Sequence, residues 1–315
     1  MLEKLKGKHP IIPAIMDYRM LTKLKSTYAE GLLKQIGEDG RIHTTFQNLV
    51  TATGRLSSTE PNLQNIPVRT DLGAEIRKMF IPKPGHVLID ADYSQIELRV
   101  LAHIADDENM CNAFRNGLDI HTVTASQVFA VSPDEVTSLQ RRHAKAVNFG
   151  IVYGISEFSL SEDIGVTRWE AREYIDSYLA NYRGVKAYMK NVVEEARERG
   201  YTETMFGRRR YIPELKSSNY NVRQGAERMT LNTPIQGTAA DLIKMAMIRV
   251  DEALRKNYPE AKLLLQVHDE LIVECPEEIA EEVAKLVSRE METVAQLNVP
   301  LTAEAKIGKS WFEAK

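Results

Sequence analysis

Two short apolar runs that each lead into an aspartate, far apart in the chain, constrain the fold more than any other feature. The run His86 to Ala91 leads into Asp92, and Lys262 to Val267 leads into Asp269, 177 positions later. Runs of this length and composition predict buried strands. Leu271 to Glu274 predicts a third strand, which closes a tight hairpin around Asp269 although the Asn-Gly turn signal is missing. We therefore expect a sheet fed from both ends of the chain, with a long insertion between them.

Helical patterns account for most of the remaining chain. Thr167 with Glu170 three positions later is typical of a helix start. Gly200 predicts a helix end, and Pro234 with Gly237 predicts an interruption. Helices are predicted at 14–36, 94–105, most of 119–204, 219–256 and 277–296, whereas 41–50 is strand-like and 53–70 is a long polar loop.

Composition narrows the class of protein without selecting a function. The 315 residues are 43% hydrophobic and 27% charged, as in soluble globular proteins. No run approaches the roughly 18–20 apolar residues of a membrane helix, and the N-terminus lacks the apolar core of a signal peptide. Cys111 and Cys275 have neither disulfide-framework nor zinc-site spacing, which fits a reducing cytosol. We therefore expect a cytoplasmic protein without membrane contacts.

The charge balance is close to neutral. A net charge of −3 argues weakly against nucleic-acid binding, because such domains often carry a basic excess. Basic residues nevertheless cluster at 141–145 and at 208–210. Each cluster alone is more typical of a solvated surface. Together they are also compatible with a basic cleft on an otherwise acidic protein.

Asp92 and Asp269 are the first candidates for chemistry. If their strands are neighbours, the two carboxylates meet at one sheet edge and form a hard oxygen site that suits Mg²⁺. Two such ions about 4 Å apart activate an attacking oxygen and stabilise a leaving one. Glu270 is a candidate third carboxylate, and Asp90 is either a supplementary ligand or, as we favour, a solvated strand-end carboxylate. The alternative is that both aspartates have no chemical role, because Asp commonly occupies strand ends and turns.

A basic–aromatic stripe is the second candidate. Arg141, Lys145, Phe149 and Tyr153 recur every four residues, which places them along one side of a helix. Arg and Lys supply donors for a triphosphate, and an aromatic ring supplies a flat surface for a base or sugar. The alternative is an ordinary amphipathic helix whose aromatic residues face the core while the cationic stems extend to solvent.

Five longer stretches contain these candidates and carry a family resemblance. DYSQIELR (92–99), RRHAKAVNFGIVYG (141–154) and QVHDE (266–270) resemble the three signature motifs of family A DNA polymerases, in the family's order and spacing. TATGRLSSTEPNLQNIP (51–67) and NTPIQGTAAD (232–241) resemble two further stretches of its bacterial members. The resemblance covers essentially the whole chain, and agreement at five long motifs is highly specific.

The resemblance implies an α+β, right-hand polymerase fold with an antiparallel palm sheet, a helical fingers insertion and a truncated thumb. The palm would comprise 41–122 and 206–315, the fingers 123–205, and residues 1–40 would be a thumb remnant. Family members normally carry more thumb and an upstream exonuclease-like domain. The 315 residues leave no room for nuclease domains and show no nuclease motifs, so we expect neither proofreading nor 5′-nuclease activity. We also expect a monomer in the cytoplasm of a bacterial or phage-infected cell.

The resemblance also implies a role for each candidate residue. Asp92 and Asp269 would bind two Mg²⁺ ions, for which Mn²⁺ can substitute, together with the Tyr93 backbone carbonyl. Glu270 would be a further catalytic carboxylate, and Lys145 would protonate the pyrophosphate leaving group. The incoming dNTP would contact Gln95, Glu97, His121, Arg141, Lys145, Phe149 and Tyr153, and the primer–template DNA would contact Arg55, Arg228, Asn232, Gln236 and His268.

The implied function is DNA-directed DNA synthesis, in which a primer 3′-hydroxyl attacks the α-phosphate of a dNTP. Glu97, assisted by Gln95, would exclude a 2′-hydroxyl, because a bulky acidic side chain against the sugar leaves no room for it. Two alternatives come from other classes. One is a primer–template binding fragment with little or no synthesis because the thumb is missing, and the other is a two-metal phosphodiesterase. The basic–aromatic stripe and Glu97 favour a nucleoside triphosphate over a diester substrate.

Overall fold

A four-stranded antiparallel sheet carries the two predicted strand ends and organises the rest of the protein. The computed structural model describes Leu2, residues 5–68 and residues 70–315. The predicted segment 1–40 and the predicted loop 53–70 are therefore described only in part.

The helices and strands follow in chain order. The helices are α1 Ile11–Lys23, α2 Glu30–Leu33, α3 Asp71–Glu75, α4 Ile96–Ile104, α5 Glu108–Arg115, α6 Ile120–Phe129, α7 Ser138–Val152, α8 Glu157–Ile164, α9 Arg168–Asn181, α10 Arg183–Arg199, α11 Tyr220–Asn257 and α12 Ala280–Glu292. The strands are β1 Thr45–Gln47, β2 Ser57–Thr59, β3 His86–Tyr93, β4 Tyr201–Glu203, β5 Arg209–Tyr211, β6 Lys262–Val267, β7 Glu270–Pro276 and β8 Ala303–Gly308.

The central sheet has the strand order β6-β7-β3-β8, and each neighbouring pair is antiparallel. The predicted hairpin is present, with β6 and β7 joined through His268 and Asp269. Strand β3 pairs directly with β7, so that Asp92 lies opposite Glu270. The prediction of a sheet fed from both ends of the chain is thus confirmed.

Hydrophobic cores cover both faces of this sheet. Along β3, Val87, Ile89 and Ala91 belong to the larger core, and the intervening Leu88 belongs to a smaller core that contains Trp311. Successive side chains of a strand point to opposite faces. Because both faces are buried, the strand has a continuous apolar sequence rather than an alternating one.

The insertion between the two sheet segments is helical, as predicted. Thr167 and Glu170 form the capping box at the start of α9, and Gly200 ends α10 in the left-handed conformation at φ 80°. The described part of the chain contains no helix that is both long and apolar enough to cross a membrane, even though α11 spans 38 residues.

Two predictions about the N-terminal region are wrong in their bounds. Residues 41–50 contain only the three-residue strand β1, which pairs with β2 outside the central sheet. Leu49 and Val50 are 94% and 69% exposed, so their apolar side chains belong to a loop rather than to a buried strand. The helix expected at 14–36 begins at Ile11 and ends at Leu33, with a π-helical segment, Leu24–Ala29, between α1 and α2.

The predicted interruption of the helix near Pro234 is also wrong, because α11 continues through both Pro234 and Gly237. A proline inside a helix costs about 3 kcal/mol. Here the surrounding residues, including Ile235 and Leu242, are buried in the larger core, and that packing offsets the cost. Gly237 instead allows α11 to pack closely against Thr204, because a Cβ at this position would lie 2.5 Å from the Thr204 methyl carbon.

Candidate active site

The carboxylates meet at the end of the central sheet. Asp92 lies at the end of β3, opposite Glu270 at the start of β7. Asp269 occupies the β6–β7 turn, and its backbone carbonyl accepts a hydrogen bond from the Tyr93 N–H at 3.2 Å. His268 forms the tight turn in the left-handed region, at φ 56°. The sheet therefore brings together three acidic residues from opposite parts of the sequence, as predicted.

Nearby cations balance the charge of these carboxylates only in part: Arg77 NH1 lies 4.0 Å from Glu270 Oε2, and Lys315 lies close to Asp92 and Glu270. Burial, followed by the negative charge of Asp92, raises the pKa of Asp269 to about 6. Burial also raises the pKa of Asp92, although the nearby Lys315 ammonium opposes this shift. The Lys315 Nζ lies 3.8 Å from Asp92 Oδ2 and contacts Glu270 Oε1. Asp92 Oδ1 and Glu270 Oε2 are buried without a hydrogen-bond partner.

This donor set fits a hard divalent cation. Within residues 5–68 and 70–315, no cluster of three or more metal-binding side chains is already assembled around one point. Asp92, Asp269 and Glu270 nevertheless supply only oxygen ligands, and one oxygen each of Asp92 and Glu270 has no hydrogen-bond partner. Mg²⁺ keeps several waters and binds through one or two carboxylates plus substrate phosphates, so it does not need a closed protein cage.

Asp90 differs from the solvated strand-end carboxylate that we favoured. It is 3% exposed and lies on the same face of β3 as Asp92. The Trp311 Nε1–H donates to its Oδ2 at 3.3 Å, whereas its Oδ1 has no partner. Burial raises the pKa of Asp90 to about 6. The prediction failed because the packing of Trp311 beneath β3 closes this face to solvent, which the local sequence does not show.

The basic–aromatic stripe lies on α7 as predicted, except that Tyr153 follows the last helical residue. Arg141, Lys145 and Tyr153 are exposed and Phe149 is half-buried. The alternative, in which the aromatic residues face the core, therefore does not describe this helix. The stripe presents two cations and two aromatic rings on one accessible side.

Arg141 is held by an acid that the sequence analysis did not single out. Its Nε donates to Asp119 Oδ2 at 2.6 Å, and its NH2 donates to Oδ1 at 3.2 Å. Burial acts to raise the pKa of Asp119, but hydrogen bonds from Arg141 and Thr122 outweigh it and lower that pKa to about 2. The side chain of Asp119 also caps the start of α6. Arg141 is thus oriented from a second helix.

His121 is buried beside the stripe. It is 3% exposed, and its ring centroid lies 5.8 Å from that of Phe149. The Asn148 amide nitrogen lies 3.1 Å from His121 Nδ1, so Nδ1 accepts and the proton of a neutral imidazole resides on Nε2. Burial lowers the pKa of His121 to about 4, so the ring is neutral at pH 7. A neutral Nε2–H is a hydrogen-bond donor for an anionic ligand.

Glu97 joins the sheet end to the stripe. Glu97 is 8% exposed and lies in the first turn of α4. This helix begins directly after Gln95, which adopts the left-handed conformation at φ 55°. Arg55 NH2 donates to Glu97 Oε1 at 2.6 Å, and the Tyr153 hydroxyl donates to Oε2 at 2.9 Å. Both carboxylate oxygens are thereby fixed, and the end of α7 is tied to the segment that follows Asp92.

The remaining candidates line α11 and the hairpin. Arg228, Asn232 and Gln236 are spaced four residues apart on α11 and so lie along one side of it. Arg228 is exposed, and the Asn232 side-chain oxygen is buried without a partner. Gln236 lies beside the Tyr153 side chain, and His268 is exposed at the β6–β7 turn.

Comparison with known proteins shows the family to which the chain belongs. The family model for DNA polymerase family A matches residues 1–313. The chain belongs to DNA polymerase family A. It is 54% identical over 315 residues to DNA polymerase I of Caldicellulosiruptor bescii and 56% identical over 316 residues to DNA polymerase I of Bacillus subtilis. All of this chain is covered, but it spans only 37% and 36% of the length of those two relatives.

A solved structure gives the same result for the fold. The POL domain of Pol1 from M. smegmatis, in complex with DNA primer-template and dNTP, matches with a TM-score of 0.94 and 46% identity. The match covers 99% of this family A chain and 56% of that one. The predicted α+β, right-hand polymerase fold is therefore confirmed. The bounds proposed for palm, fingers and thumb remain predictions.

Three residues of this family A site were missed by the sequence analysis. Asp119 precedes Ile120 and His121 and is a plausible helix cap by sequence, but its ion pair with Arg141 spans 22 positions. Asn148 lies inside the 141–154 motif and orients His121. Its side chain is not on the side of α7 that carries the stripe. Lys315 reaches the carboxylates only because the C-terminal segment packs beneath the sheet, and no local signal indicates this.

Proposed function

We propose that the chain is the core of a DNA-directed DNA polymerase that adds dNMP to a primer 3′-hydroxyl by nucleotidyl transfer. The observation that carries this proposal is the Tyr153–Glu97 hydrogen bond of 2.9 Å, which joins the basic–aromatic stripe to the carboxylate end of the sheet. One site thus offers oxygen ligands on one side and phosphate-binding cations on the other. A triphosphate undergoing in-line displacement needs both.

The residues of the stripe would bind and orient the incoming dNTP. Arg141, held by Asp119, and Lys145 would donate to the triphosphate, and the Nε2–H of neutral His121 would add a further donor. Phe149 would stack beside the sugar and base, and Tyr153 would border the template-side pocket. Lys145 would donate a proton to the departing pyrophosphate.

The carboxylates would hold the metal ions. Asp92 and Asp269, with the Tyr93 carbonyl, would bind two Mg²⁺ or Mn²⁺ ions, and Glu270 lies close enough to support them. Bound divalent cations would activate the primer hydroxyl and stabilise negative charge on the transferred phosphoryl group. The oxygens of Asp92 and Glu270 that lack a hydrogen-bond partner and the raised pKa of Asp269 support this assignment.

Glu97, with Gln95, would exclude ribonucleotides, because both Glu97 oxygens are already fixed and its carboxylate cannot turn away from a 2′-hydroxyl. Primer–template DNA would contact Arg55, Arg228, Asn232, Gln236 and His268. Arg55 and Gln236 suit the minor groove, where acceptor positions are shared by all correct pairs. A monomer acting in the cytoplasm remains a prediction.

Primer extension tests this proposal. We expect the unaltered chain to extend a short primer–template at low salt with Mg²⁺ and all four dNTPs. We expect Asp269→Ala to lose extension by at least about 10³-fold, as expected when a metal-binding group is removed from a site of electrostatic stabilisation. The rate is measured in single turnovers, and DNA binding is measured separately by fluorescence anisotropy.

A matched control is Asp251→Ala, which removes an exposed aspartate on α11 that pairs with Arg255 at 2.8 Å. It should extend the primer like the unaltered chain. Shortened primers would indicate the phosphodiesterase alternative. DNA binding without extension in the unaltered chain would indicate the binding-fragment alternative.

A further inference from the structure

An ion pair between a buried aspartate, Asp241, and a half-exposed arginine, Arg208, has no part in the function proposed above. Asp241, at the end of the 232–241 motif, is 6% exposed on α11. Its Oδ1 accepts from Arg208 Nε at 2.8 Å and lies 2.6 Å from Arg208 NH2, and its Oδ2 accepts from the Thr204 hydroxyl at 2.8 Å. Both oxygens of the carboxylate are therefore occupied within the protein, and Asp241 is not available to a ligand.

Arg208 is pressed against the backbone of a neighbouring loop. A Cβ added at Gly54 would lie 2.6 Å from Arg208 Nε and 3.0 Å from its Cζ, so the guanidinium rests on the Gly54 Cα. Gly54 adopts φ 80°, a conformation that glycine allows without strain. The same loop reaches α11 at a second point, where a Cβ on Gly237 would lie 3.4 Å from the Thr53 carbonyl oxygen. Two glycines thus let the turn between β4 and β5, the 51–55 loop and α11 pack in close contact.

The loop that Arg208 holds ends in Arg55. The Thr51 hydroxyl donates to the Arg55 carbonyl at 2.6 Å, and the Gly54 N–H donates to the Thr51 carbonyl at 3.2 Å, which closes residues 51–55 into a turn. Arg55 then donates to Glu97 at 2.6 Å. The chain of contacts runs from Asp241 through Arg208 and the loop to the carboxylate of Glu97.

We propose that Asp241 and Arg208 are positioning residues that hold Arg55, and through it Glu97, in the place from which Glu97 selects the sugar of the incoming nucleotide. This inference rests on the proposed polymerase function. A loop held only by its own turn would let Arg55 move, and Glu97 would lose one of its two fixed partners. Displacements of this kind near a reacting centre change rates by up to about 10²-fold.

The test measures selectivity for dNTP over rNTP as a ratio of kcat/KM values in single-nucleotide incorporation. We expect this ratio to fall about tenfold in Arg208→Lys and in Asp241→Asn. Loss of an ordinary DNA contact by Arg208 would lower both incorporation rates together and leave the ratio unchanged. Arg208→Lys suits the test because the arginine side chain is 44% exposed, so folding should tolerate the change.

The matched control is Arg209→Lys, whose arginine pairs with Glu203 at 3.3 Å and is 53% exposed, and its ratio should not change. A double-mutant cycle with Glu97→Ala supplies the second measurement. If Arg208 acts through Glu97, Arg208→Lys should have almost no further effect on the ratio in the Glu97→Ala background.

The outcomes separate the two proposals. An unchanged ratio in both Arg208→Lys and Asp241→Asn, together with a lower ratio in Glu97→Ala, would overturn the positioning role and leave the proposed function intact. So would a full additional loss from Arg208→Lys in the Glu97→Ala background. A chain that incorporates no dNTP would overturn the proposed function and this inference with it. An unchanged ratio in Glu97→Ala would overturn the sugar-selecting role of Glu97 and this inference, but not the proposed nucleotidyl transfer.

Discussion

At the scale of single residues, the orientation and the charge of side chains in this site depend on neighbours that are remote in sequence. Arg141 is oriented by Asp119 and His121 by Asn148. Burial lowers the pKa of His121 and keeps the ring neutral; the Asp119 carboxylate opposes this effect, and the Arg141 and Lys145 cations add to it. A neutral histidine at this position can donate a hydrogen bond without adding a third positive charge beside Arg141 and Lys145.

The neutral state of His121 gives a pH-dependence for stability. Its folded pKa of about 4 lies below the unfolded value of 6.5, so its contribution is present above pH 6.5 and is lost as the pH falls towards 4. Relative to His121→Gln, the unaltered chain should lose about 2 kcal/mol of unfolding free energy between pH 7.5 and pH 5. Urea unfolding at both pH values, without nucleotide or DNA, measures the difference. A constant difference would show that His121 is not buried as a neutral ring.

At the scale of helices and strands, one buried acid fixes how the insertion joins the sheet segment. Asp107 is 3% exposed and caps α5 by accepting from the Met110 N–H at 3.0 Å. Its other oxygen accepts from the Gly184 N–H at 2.8 Å and the Val185 N–H at 3.3 Å, at the start of α10. Gly184 permits the contact, since a Cβ there would lie 2.7 Å from the Ala105 carbonyl oxygen.

Asp107→Ala should therefore destabilise the protein by about 2–4 kcal/mol, because it removes a helix cap and leaves buried N–H groups without a partner. Equilibrium urea unfolding measures the loss. Ser156→Ala is the matched control, since Ser156 caps only α8 and is exposed. It should cost about 1 kcal/mol or less. Equal losses in the two variants would show that Asp107 does not join the two helices.

At the scale of the whole molecule, the smaller core gathers segments from the entire chain. Tyr28 near the N-terminus, Leu63 in the 53–70 loop, Leu88 of β3 and Trp311 near the C-terminus all belong to it. Trp311 is 1% exposed and packs edge-on against Phe80, with ring centroids 5.4 Å apart. This core lies on the face of β3 that also carries Asp90 and Asp92.

Trp311→Ala should cost about 3–5 kcal/mol, as expected for removal of a large buried aromatic side chain. Because the core is shared, amide hydrogen exchange should accelerate in all four segments rather than near residue 311 alone. Phe312→Ala is the matched control, since that ring is 39% exposed. Faster exchange confined to the C-terminal segment would contradict a shared core.

The sequence by itself predicted the secondary structure around the candidate site and most of the residues that we assign to it. Periodicity and apolar runs predicted β3, the β6–β7 hairpin and the helical insertion, because local side-chain patterns follow directly from strand and helix geometry. Apolar runs and residue spacing predicted the acids and the stripe, and the family resemblance predicted Glu97 and the fold. These features depend on the order of residue types, which a sequence shows directly.

Only the tertiary structure decided how those residues are held. The burial of Asp90, the pairing of Arg141 with Asp119 and the continuation of α11 through Pro234 each depend on contacts between distant segments. No local pattern encodes such contacts, because burial and pairing energies are summed over neighbours that come together only on folding. The sequence therefore identified the chemical groups of the site, and the packing of the chain set their charge, orientation and partners.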